Sequence, residues 1–92
     1  MKADPLADLR NEFRRRAARD RVALMQCLDA DDVEQIERIV HGLAGSAGMF
    51  GFSDVGAAAL TIDDVFASGR GLDMEAVKRL IAALEALIRS RC

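Results

Sequence analysis

Apolar residues recur at intervals of three and four along nearly the whole chain, and this recurrence limits the folds open to it. Val77, Leu80, Ile81, Leu84, Leu87 and Ile88 form the most regular stripe. Val55, Ala58, Ala59, Ile62 and Phe66 form a second, and Val33, Ile36, Val40, Leu43, Ala47 and Phe50 a third. Leu6, Leu9, Phe13, Ala17, Leu24 and Leu28 form the one nearest the N-terminus. Each set falls on one face of a helix, whereas a strand would need alternation by two. The chain has no Trp or Tyr and one Pro, and is rich in Ala, Leu, Arg, Asp and Glu, which favours helix over sheet.

Turn and cap residues separate the stripes. Asp4-Pro5 reads as an N-cap followed by proline at the first helical position. That helix is expected to run to about Asp29, where Asp29-Ala30-Asp31-Asp32 breaks it and supplies aspartates to cap the next. Asp20 falls on the first stripe, while Val22 and Met25 lie off it, so this helix either shifts its buried face midway or leaves an apolar patch exposed. The second helix is expected from Val33 to Phe50, with Gly51 as its C-terminal cap. Ser53 is expected to cap the third, with Asp54 in its first turn. Ser68-Gly69-Arg70-Gly71 stops it, and Asp73 caps the fourth. Four amphipathic helices with short connections predict an all-α, antiparallel four-helix bundle, up-down-up-down, with residues 1–92 as one domain.

Composition excludes several functions. A net charge of −2 leaves no global footprint for nucleic acid. The local basic run Arg14, Arg15, Arg16, Arg19 and Arg21 reads as a solvated face, with an acidic partner surface as the functional alternative. Cys27 reads as small core filler and Cys92 as a frayed end, so no disulfide framework is expected. One histidine and two scattered cysteines make a poor metal site. No apolar run reaches the length of a membrane span and no signal peptide is visible, which makes the cytoplasm the default location. The chain carries no phosphate-binding loop, no paired carboxylates that can be placed, and no nucleophile–base–orienter triad, which argues against a self-contained enzyme.

The stretch from Val40 to Phe52 stands apart. It holds the single histidine, His41, and the glycines Gly42, Gly45, Gly48 and Gly51 at every third position. On a helical wheel His41, Gly45 and Gly48 fall within roughly 60° of one another, opposite the apolar stripe. His41 is therefore expected to be exposed. Each glycine costs a helix about 0.8–1 kcal/mol relative to alanine. A bare strip of backbone beside the imidazole, open to a second molecule, is one return for that cost. Read from the pattern alone, His41 can equally be an ordinary surface or satisfied core histidine, and the glycines can mark a loop or close helix packing.

His41-Gly42-Leu43-Ala44-Gly45-Ser46-Ala47-Gly48-Met49-Phe50-Gly51-Phe52 resembles the signature of histidine phosphotransfer (HPt) domains, His-x-Leu-Lys/Ala-Gly-Ser/Ala-x-x-x-x-Gly. His41, Leu43, Gly45, Ser46 and Gly51 are in register. An acidic turn precedes it and Ile62-Asp63 follows, and the likeness extends over roughly residues 6–90. The resemblance implies that His41 carries a phosphoryl group exchanged with an aspartate on a response-regulator receiver domain, in a phosphorelay with a sensor histidine kinase. It implies a carrier without kinase or phosphatase activity of its own, no cofactor in this chain, and magnesium on the receiver. Gly45, and Gly48 beside it, would keep the approach open. Asp63 would face the histidine from the third helix. Ala44 stands where many members carry lysine. Arg38, three residues before His41, is the candidate to replace that cation, and Glu37, one turn before it, to orient the ring. Phe52 and Met49 either border the docking surface or pack at the helix end. Starting at Met1, the chain suits a free-standing protein, with the phosphoacceptor domain of a chemotaxis-type histidine kinase as a close variant. The alternative is a helical adaptor that binds a receiver or kinase without being phosphorylated.

Overall fold

The computed structural model describes residues 5–89, and Asp4 and Cys92 lie outside them. Four helices follow in order: α1, Pro5–Asp29; α2, Val33–Ser46; α3, Ser53–Ala67; and α4, Met74–Arg89. A short 3-10 helix, Gly48–Phe50, joins α2 to α3. Each helix packs on the next and α4 closes back on α1, giving the expected up-down bundle. No helix among the described residues is long and apolar enough to cross a membrane.

The stripes meet in one core. Leu24 of α1, Ile36, Val40 and Leu43 of α2, Ile62 of α3, and Leu80 and Leu84 of α4 are fully buried. Burying each such side chain contributes about 1.5–3 kcal/mol before conformational entropy is charged against it. Among the described residues no polar or charged residue is buried. Cys27 is half-buried against this cluster. The first stripe turns inward only from Phe13: Leu6 and Leu9 are exposed. Val22 and Met25 are exposed too, so α1 keeps its buried face and leaves the apolar patch in solvent. Asp20, on the stripe, is held by Arg16 at 3.3 Å, and burial pushes its carboxyl above the usual aspartate range.

The caps follow the side chains. Asp31 adopts a left-handed conformation, φ 55°, tolerable for a short polar residue, and turns the chain out of α1. Asp32 Oδ1 accepts the backbone N–H of Gln35 at 3.2 Å to start α2. Asp73 Oδ1 accepts those of Glu75 at 3.1 Å and Ala76 at 3.2 Å to start α4. Gly69 and Gly71, at φ 85° and 77°, make the turn before it.

Two boundaries differ from the sequence expectation. The α-helix of α2 ends at Ser46, four residues short of Phe50, and the remainder tightens into the 3-10 turn. Phe50 and Phe52 both pack on Phe13, with ring centroids 5.5 and 5.4 Å away, and a continuous helix cannot bring both to one ring. The chain therefore swings around Phe13, with Gly51 at φ 86°. Phe52, half-buried by this stacking, also takes the N-cap position of α3, so Ser53 is the first helical residue rather than the cap. Met49, at 78% exposure, does not pack at the helix end.

Candidate functional site

Val40 and Leu43 are buried, and their burial sets the roll of α2. His41 is thereby turned outward, with 75% of its side chain exposed. On α3, buried Ile62 plays the same part for its neighbour Asp63, which it directs to the rim between α2 and α3. The two rims meet: His41 Nδ1 lies 3.2 Å from Asp63 Oδ2 and 3.4 Å from Oδ1. An ionised carboxylate only accepts, so Nδ1 carries the hydrogen and donates it. Nε2, across the ring, keeps its lone pair and faces away from the carboxylate.

Glu37, one turn before His41, is half-buried and makes no hydrogen bond to the ring. Its Oε1 is shut off from solvent and faces no donor. Glu37, His41 and Asp63 each bring one atom within 4.8 Å of the other two. Burial first, then the neighbouring Asp63 carboxyl, pushes Glu37 up to about 7. The neighbouring Glu37 carboxyl, and then the hydrogen bond from His41, hold Asp63 below the usual aspartate range. All three are residue types that bind divalent ions. The ring nitrogen on this side is hydrogen-bonded to Asp63.

The surface is open at Gly45 and at Gly48. A Cβ built on Gly45 or Gly48 meets nothing within 4 Å, and both residues are exposed. Gly48 lies in the 3-10 turn rather than on α2 itself. Arg38 is exposed and pairs with no acidic group among the described residues. Ala44 is half-buried against the core and brings no charge to the surface. The structure thus gathers His41 with Glu37 and Asp63, and leaves Arg38 and Ala44 outside that group.

Two arrangements were invisible to sequence spacing. Glu37 and Asp63 are brought together by the packing of α2 on α3, and no local pattern marks the pair. Gly42 is bare for a reason unrelated to His41. The Arg16 Nη2 atom lies 2.8 Å from where its Cβ would stand. That guanidinium also donates to Ser46 Oγ at 3.0 Å and lies over the Phe13 ring at 5.7 Å. It joins α1 to α2 across the gap the glycine leaves.

No curated protein and no solved structure matches the chain. One family model does, with residues 8–90 matched, and it spans all four helices, the exposed histidine and its acidic partner. Its members carry phosphoryl groups in phosphorelays and interact with receiver domains and kinases. The chain belongs to the Hpt domain family.

Proposed function

We propose that His41 is the phosphoryl carrier, taking the group from an aspartyl phosphate on a receiver domain and returning it to one. The observation that carries this reading is the ring itself: exposed, with Nδ1–H held by Asp63 and Nε2 left as the nucleophile. The Nε2 lone pair attacks phosphorus, the bond from phosphorus to the receiver's aspartate oxygen breaks, and that oxygen leaves with the electron pair as carboxylate. The reverse step runs over the same atoms. Such transfer depends mainly on positioning and on charge around the phosphoryl oxygens. This chain supplies the positioning. The receiver supplies magnesium.

Gly45 and Gly48 let a receiver approach without meeting a side chain. Arg38 is the candidate cation in place of the lysine that Ala44 lacks, since it is exposed on the same helix and three residues from His41. A sensor histidine kinase upstream completes the relay.

One observation favours a second reading, that of an adaptor which binds a receiver without being phosphorylated: Ala44 brings no charge beside His41. A panel of phosphorylated receivers with magnesium decides between them. The carrier reading expects acid-labile, base-stable label on this protein that is lost in His41→Gln. Tight receiver binding without label, unchanged in His41→Gln, establishes the adaptor instead.

A further inference from the structure

Two carboxyl groups brought close together repel when both are ionised and attract when one keeps its proton. Glu37 and Asp63 each bring an oxygen within 4.8 Å of the other, and Asp63 is bonded to the one ring whose orientation matters. Asp63 is the member that touches the ring. Glu37 stands behind it, one turn back along α2, with its Oε1 walled off from water and no donor in reach. With one oxygen cut off from solvent and the Asp63 carboxyl nearby, the charged form of this side chain is disfavoured. As a neutral acid it has a hydrogen to give, and the acceptor beside it is Asp63.

We propose that Glu37 is a positioning residue for His41: its protonated carboxyl donates to Asp63, and Asp63, so anchored, holds the Nδ1–H of the imidazole and keeps Nε2 turned outward. This inference rests on the reading of His41 as the carrier only for its consequence in transfer; the control of the ring stands without it.

The control depends on pH. The charged groups that act on Glu37 are Asp63 from α3 and His41 from its own helix. Arg38, next in the chain, and Asp64, next to Asp63, are exposed to solvent. When Glu37 loses its proton, two adjacent carboxylates repel, Asp63 loses its anchor, and the ring is free to turn or to change tautomer. Burial pushes the Glu37 carboxyl up to about 7, so the change falls in the neutral range. A group with that midpoint loses about fivefold in protonated fraction from pH 7 to pH 8. Phosphoryl acceptance is expected to fall by about the same factor, a further decline beyond whatever the donor's own chemistry imposes.

Glutamine separates this from a merely structural role. Its amide donates at every pH, so Glu37→Gln is a permanent copy of the protonated form. Glu37→Ala removes the donor at every pH. Two readouts are made on each protein. The first is the ¹⁵N spectrum of the unphosphorylated His41 ring from pH 6 to 9. The second is the rate of phosphorylation by phosphoramidate and by a phosphorylated receiver, expressed as the ratio to wild type at each pH so that the donor's pH dependence cancels.

In wild type the Nδ1–H tautomer is expected to lose its dominance between pH 7 and pH 8.5, while Glu37→Gln retains it and Glu37→Ala lacks it throughout. The rate ratio of Glu37→Gln to wild type is expected to rise about fivefold from pH 7 to pH 8. Identical ring spectra and a flat rate ratio across the range overturn the positioning role and leave the carrier intact. A tautomer change in wild type that Glu37→Gln abolishes, with no phosphoryl group on His41 from either donor, upholds the positioning role and sinks the carrier reading.

Discussion

A glycine is cheap to replace only where the space beyond it is empty and its backbone is ordinary. Gly45 meets both conditions: a Cβ there touches nothing within 4 Å, and its conformation is helical. A long side chain at this position meets no neighbour in the fold and, if His41 is the carrier proposed above, stands in the path of a docking receiver. Gly45→Lys is therefore expected to keep the melting behaviour of the wild type, or to gain a few tenths of a kcal/mol from helix propensity, while slowing receiver transfer at least about tenfold. Phosphoramidate, small enough to pass the lysine, should phosphorylate the variant nearly as well as wild type. The comparison of the two donors on one folded protein checks the clearance directly. The residues around the histidine were unequally legible. Exposure of His41 follows from the helical wheel, because buried Val40 and Leu43 leave it no other side. Asp63 came into view only through the family likeness. The contact between Glu37 and Asp63 carries no sequence signal, since it is made by two helices whose relative roll is settled by packing.

At the scale of the helices, the apolar stripes were sufficient for four elements and for which face of α2, α3 and α4 is buried. They misled where another force decided the outcome. The glycine-rich segment keeps helical spacing up to Phe50, but the stacking of Phe50 and Phe52 on Phe13 breaks the helix after Ser46. The first two leucines of α1 obey its stripe and are still exposed. The break after Ser46 also brings α3 in close. A Cβ on Gly56 stands 3.3 Å from the Gly48 nitrogen, a backbone atom that cannot swing away. Gly56→Leu is expected to destabilise the protein by about 1–3 kcal/mol through overpacking at this crossing, read as a lower midpoint in urea. The Arg16 bridge is the counterpart on the other side of α2. There the atom in the way is the tip of a flexible side chain, so a methyl group at Gly42 displaces a guanidinium and its bond to Ser46, not the helix.

For the whole molecule, the two displaced carboxyls pull in opposite directions. Glu37 holds its proton more tightly folded than unfolded, so its contribution is present in acid and is lost as pH rises from the ordinary carboxyl range through about 7. Asp63 is lowered, so its contribution is present above the ordinary aspartate range and is lost as pH falls through its depressed value. Stability is expected to be greatest in the mildly acidic window between them. Denaturant melts should show Glu37→Gln flattening the decline above pH 6, by about 1 kcal/mol at pH 8 once solvent screening is allowed for. The absence of buried polar or charged groups among the described residues reaches further than stability. The side chains proposed for chemistry sit on the rim, and the buried apolar side chains that hold the helices together lie within it. The two sets do not overlap, so the outer face of α2 can drift in composition, and with it the choice of partner, while the scaffold is inherited intact.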